Sequence, residues 1–116
     1  MDANSKTYYI YVLRCLDNSL YTGITTDVKR RFDEHTTRRS SAEKYTRSRK
    51  PNSIEIVWSS SSRSEASKLE YAFKKLSKTK KEEIISNPSL LKTYLEDKID
   101  TSVYSVEIIN VGVFNK

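Results

Sequence analysis

The 116-residue sequence contains one cysteine, one histidine, two glycines and two prolines. Each scarcity closes off a chemistry. Cys15 alone forms no internal disulfide and no multi-cysteine zinc site. His35 alone excludes the paired-histidine metalloprotease motifs. Gly23 and Gly112 are too few for a Walker loop or a dinucleotide fingerprint, each of which needs several glycines at fixed spacing. No apolar run nears the roughly 20 residues that span a bilayer, so no membrane role is expected. Residues 1–7 lack the apolar stretch of a secretory signal, and the sequence reads as cytoplasmic. Tyrosine, arginine, lysine and carboxylates remain to carry any chemistry.

The formal net charge is +6, and residues 29–50 account for it, with nine basic side chains against three acidic ones. A basic block this dense suits a polyanion such as nucleic acid; it equally suits a solvated helix face. Hydrophobic residues make up 36% and charged residues 31%, which fits one small domain with a shallow core.

Tyr8 to Leu16 is a continuous apolar and aromatic run and predicts a buried strand. Asp17-Asn18-Ser19 is turn chemistry, and Leu20 to Thr25 resumes as the second strand of a hairpin. A helix capped by Thr26 or Asp27 is expected to reach about Thr37. Residues 38–52 read as basic and irregular, and Ile54 to Ser59 as a third strand. Ser62 to Glu65 is a capping box for a second helix, and Thr79 to Glu82 one for a third. Asn87-Pro88 then opens a fourth, with proline in the first helical position. Val103 to Phe114 is β-branched, either an added edge strand or a tail. The fold class is α+β, a small three-stranded antiparallel sheet flanked by helices, with the C-terminal segment as a candidate extra strand.

Tyr9-Ile10-Tyr11 precedes Tyr21-Thr22-Gly23 by ten residues, and Thr25, Arg30-Arg31-Phe32, His35 and Glu70 follow in order. This pattern resembles the GIY-YIG nuclease family, most closely its stand-alone, single-domain proteins. The first motif lacks its glycine, and Thr22 replaces isoleucine in the second. The resemblance divides the chain into a tail (1–7), the nuclease domain (8–85) and a C-terminal extension (86–116). It implies a metal-dependent endonuclease that hydrolyses DNA, duplex or branched, with RNA as a further substrate class and repair or recombination as the setting.

Helix geometry distinguishes the two arginines. Val28, Phe32 and His35 share one face of the first helix, Arg31 borders it, and Arg30 points away. Arg31 therefore can reach a site on the sheet, where its guanidinium suits a phosphate. Glu70 stands at the edge of the apolar stripe Ala66, Leu69, Phe73 and Leu76, with Lys74 at i+4 as its structural partner. By the resemblance, Glu70 is the ligand of Mg²⁺ (or Mn²⁺), and Tyr11, Tyr21, Arg31 and His35 complete the catalytic set. Tyr9, Gly23 and Thr25 would support that site. Arg30, Arg38, Arg39, Lys44, Arg47, Arg49 and Lys50 are expected to track the nucleic-acid backbone. Either Tyr11 or Tyr21 would be the general base, and Arg31 is expected to favour its phenolate, bringing the pKa below 10. Two rivals stand beside the enzyme: a binding module without efficient cleavage, and a subunit that needs a protein partner docked through residues 86–116.

Overall fold

The structure, a computed structural model, describes residues 6–37 and 51–107. Strands β1 (Tyr8–Cys15), β2 (Leu20–Thr25), β3 (Pro51–Ser60) and β4 (Ser105–Glu107) form one antiparallel sheet in the order β2-β1-β3-β4. Helix α1 (Val28–Thr37) follows β2; α2 (Arg63–Lys74), α3 (Lys78–Ser86) and α4 (Leu90–Leu95) lie between β3 and a 3₁₀ turn at Thr101–Val103. Among the described residues, no helix is long and apolar enough to cross a membrane.

The unbroken apolar run of β1 is explained by its central place in the sheet, covered on both faces. Alternation sends Ile10 and Val12 to one side and Tyr11 and Leu13 to the other. Helices α2, α3 and α4 cover the first side, where Trp58 meets Phe73 edge-on at 5.5 Å. Trp58 and Cys15 are both buried, as core residues. Helix α1 covers the second side with Val28 and Phe32. The β1–β2 turn uses Asn18 at φ 71°, a left-handed conformation that asparagine tolerates. Ser19 donates to the Asp17 carboxylate from both its N–H and its hydroxyl.

Several boundaries differ from the sequence reading. Strand β3 begins at Pro51, because proline at a strand's first position costs no interior ladder bond. Ser77 caps α3 by accepting from the Lys80 N–H at 3.2 Å, two residues before the expected Thr79. Pro88 lies in the turn ahead of α4. The sheet has four strands, Val106 pairing with Trp58, so the C-terminal strand is real over Ser105–Glu107. Residues 108–116 lie outside the described residues. The Ser62 cap is as expected, accepting from the Glu65 N–H.

Arg14 joins β1, β3 and α3. It donates to Glu82 at 2.5 and 2.7 Å, to Glu55 at 3.1 Å and to Asn18 at 3.1 Å. The Arg14 hydrogen bond holds the Glu82 carboxyl down at about 2. A depressed carboxylate adds stability above its unfolded pKa and loses it as pH falls through the folded one. Stability should therefore decline from about pH 4.5 towards pH 2. Arg14→Met should cost about 1–3 kcal/mol at neutral pH, as for hydrogen bonds to charged groups, and flatten that decline. Urea midpoints across this range check both; a variant with unchanged acid sensitivity would contradict them.

Candidate active site

The second face of the sheet assembles the tyrosines. Tyr9 and Tyr11, two residues apart on β1, share it, and Tyr21 joins them from the outer strand β2. The Tyr11 and Tyr21 rings lie 6.2 Å apart, tilted by 40°. Tyr11 is 2% exposed and Tyr21 half-buried.

Tyr11 stands directly opposite Gly23, and its ring crosses the glycine backbone. A Cβ at position 23 would sit 2.5 Å from the Tyr11 Oη and 2.7 Å from its Cζ. Glycine is thus required by the tyrosine on the neighbouring strand. Gly23→Ala should displace Tyr11 and cost about 1–3 kcal/mol of stability, the usual range for overpacking a filled core. Tyr11→Phe should restore little of it, since the ring carbon remains. Denaturation of the two single variants and the double variant measures this.

Arg31 reaches the same cluster from α1. Its guanidinium lies beside the Tyr11 hydroxyl and donates to Glu34 Oε1 at 3.0 Å. Partial burial works against its charge, but the bonds to Tyr11 and Glu34 outweigh it and keep the guanidinium charged. The Arg31 bond in turn holds the Glu34 carboxyl below its ordinary value. Arg30 points outward, paired with Glu34 at 3.1 Å and with Asp27 at 3.8 Å. Glu34 was missed by the sequence reading; its signal is the i+3 spacing from Arg31 and i+4 from Arg30. Thr25 braces the entry to α1: its hydroxyl accepts from the Asp27 N–H at 3.0 Å, and Asp27 caps Arg30.

The Tyr11 pKa departs from expectation. Burial pushes it up, the neighbouring Tyr21 adds to that, and Arg31 pulls the other way without winning; the result is about 12. Tyr11 therefore keeps its proton, with roughly one molecule in 100,000 as phenolate at pH 7.

Glu70 reaches the sheet from another helix, α2. Its helix packs on the opposite face, against β1 and β2, and its carboxylate pairs with Lys74 at 3.2 Å. Among the described residues, no group of three or more His, Cys, Asp or Glu side chains is placed to hold a metal. One carboxylate whose side chain is 25% exposed fits a hard, strongly hydrated cation that keeps most of its waters. It does not fit zinc. The His35 backbone lies in α1, but its side chain lies outside the described residues, as do Arg38, Arg39, Lys44, Arg47, Arg49 and Lys50.

The chain is similar to known proteins over most of its length. The GIY-YIG catalytic domain model matches residues 7–83. UPF0213 protein FN1575 of Fusobacterium nucleatum is 48% identical over 81 residues, covering 70% of this chain and 79% of the relative. UPF0213 protein BH0048 of Halalkalibacterium halodurans is 44% identical over 79 residues, covering 68% of this chain and 82% of the relative. The solution NMR structure of the UPF0213 protein BH0048 from Bacillus halodurans superimposes with a TM-score of 0.46 at 41% identity, over 77% of this chain and 96% of that one.

Proposed function

Because the chain belongs to the GIY-YIG catalytic domain family, a family of nucleases, we propose that it is an endonuclease that hydrolyses DNA phosphodiester bonds. The observation that carries this reading is the Arg31 guanidinium lying beside Tyr11 and Tyr21, a fixed positive charge next to two phenols on one face. A charged, bidentate donor at that place suits the extra negative charge of a phosphoryl transition state. Glu34 holds the guanidinium until a phosphate replaces it.

Tyr11 is a positioning residue here: buried and protonated, it fixes Arg31 and Tyr21. Tyr21, half-buried on the outer strand, meets the attacking water and takes its proton. Glu70 would hold Mg²⁺ (or Mn²⁺), which when bound supplies positive charge to the reacting phosphate. Helix α2, which carries Glu70, packs against β2, the strand that carries Tyr21, so one strand is common to both. The basic residues from Arg38 to Lys50, with Arg30, would contact the backbone without reading sequence, which makes binding strongly salt-dependent. Repair or recombination is the setting this activity suits.

Supercoiled plasmid and branched DNA, incubated with the chain in Mg²⁺ and in EDTA, test the reading. Nicking that requires the cation and disappears in Glu70→Ala is the expected result. Wild type inert on every substrate, but binding DNA, would leave a binding module instead.

A further inference from the structure

A groove of about 570 Å³ runs between α2 and the residues that follow α4. Ala72, Leu76, Leu95 and Ile99 give it an aliphatic lining, and Lys68, Lys75 and Lys98 border it. Tyr71 stands beside them 66% exposed. At about 100° per residue, Glu70 lies about 160° round α2 from Ala72, so the groove occupies the opposite flank. The tyrosine–arginine face is on the other side of the sheet.

The charges at the groove are unbalanced. Among the described residues, Lys68, Lys75 and Lys98 form no ion pair, whereas Lys74 and Lys78 on the same stretch are paired with Glu70 and Glu82. Two carboxylates also line the groove. Asp100 is committed to the 3₁₀ turn, accepting from the Ser102 N–H at 3.0 Å and its hydroxyl at 2.5 Å. That leaves Glu65 against three ammonium groups.

We propose that this groove docks an amphipathic, acidic segment of a partner protein. Aliphatic side chains of the segment would fill the lining, and its carboxylates would meet the three lysines, as in helix-in-groove recognition. A nucleic-acid strand fits less well. Lys75 Nζ lies 5.0 Å over the Tyr71 ring and covers the face on which a base would stack, and the rest of the lining is aliphatic. Residues 108–116 of this chain are apolar but contain no Asp or Glu, so they do not match the lysines. An occupant here leaves Tyr21, Arg31 and Glu70 uncovered.

The test titrates the ¹⁵N-labelled full chain with a synthetic helical peptide of about four turns. Leucine and phenylalanine occupy its i, i+3, i+4 and i+7 positions, and glutamate its flanks. A second peptide carries lysine for every glutamate, and a single-stranded DNA oligonucleotide is the third probe. Saturable shifts are expected at the amides of Ala72, Leu76, Leu95 and Ile99 with the acidic peptide. Affinity should fall at least tenfold for the lysine peptide, and at least tenfold for Lys68→Glu/Lys98→Glu. That double variant should keep the wild-type circular dichroism and whatever plasmid nicking the wild type shows. No binding, equal affinity for both peptides, or shifts centred elsewhere would overturn the proposal. Binding of the oligonucleotide at these amides in place of the peptide would also overturn it, making the groove a nucleic-acid surface. Absence of nicking by the wild type bears on the proposed function alone.

Discussion

Arg31→Ala should lower single-turnover cleavage about 100-fold or more, while Arg30→Ala should leave the chemical step within a few-fold of wild type. The two arginines are adjacent in sequence and equal in formal charge, so composition and net field predict the same loss from either. Their surroundings differ. Arg31 is half-buried, beside the Tyr11 hydroxyl and bonded to Glu34; Arg30 is exposed and paired with Asp27 and Glu34. Removing a preorganised donor to developing charge costs about 3 kcal/mol. Removing an exposed arginine weakens binding and steepens the need for low salt. Rates at saturating enzyme separate the two effects. The reverse order would mean that the face of α1 carrying Arg30 holds the phosphate.

Cleavage should rise about tenfold per pH unit from pH 6 to 9 if a tyrosine must lose its proton before it can act as general base. The rise should belong to Tyr21. Tyr11, lifted to about 12 by burial, keeps its proton throughout this range and contributes no plateau. Tyr21→Phe should therefore abolish both the rate and its slope. Tyr11→Phe should lower the rate, by loosening Arg31, yet leave the slope intact. Single-turnover pH profiles of the three proteins are the measurement. A slope lost in Tyr11→Phe would return the proton transfer to Tyr11. A flat profile with both variants active would remove tyrosine from the chemistry.

Much of this site was legible from spacing. Alternation along β1 places Tyr9 and Tyr11 on one face, and the 3.6-residue period sets Arg31 apart from Arg30. The hairpin and the Ser62 cap were readable for the same local reasons, whereas the C-terminal segment reads equally as strand or tail until its pairing with β3 decides it. What was not legible depends on contacts between distant residues. That Gly23 serves Tyr11 follows only from the strand register, which pairs them across the hairpin. Arg14 reaches Glu82 across 68 residues, and no local pattern announces that clasp. The rise in the Tyr11 pKa is a consequence of burial under α1; from sequence, the nearby Arg31 charge suggested the opposite direction. Spacing sets Glu70 at the edge of an apolar stripe, but which face of the sheet its helix covers needs the fold.

On the proposed function, a DNA phosphate enters the tyrosine–arginine face and takes Arg31 from Glu34. Side-chain ¹⁵N resonances of the two arginines, followed while a phosphorothioate-substituted DNA is added in Ca²⁺, report this whether or not cleavage occurs. The Arg31 Nε–H and the Gly23 amide should shift together and saturate, with a smaller response at Arg30. An Arg31 signal that stays fixed on Glu34 while DNA saturates other residues would contradict the claim.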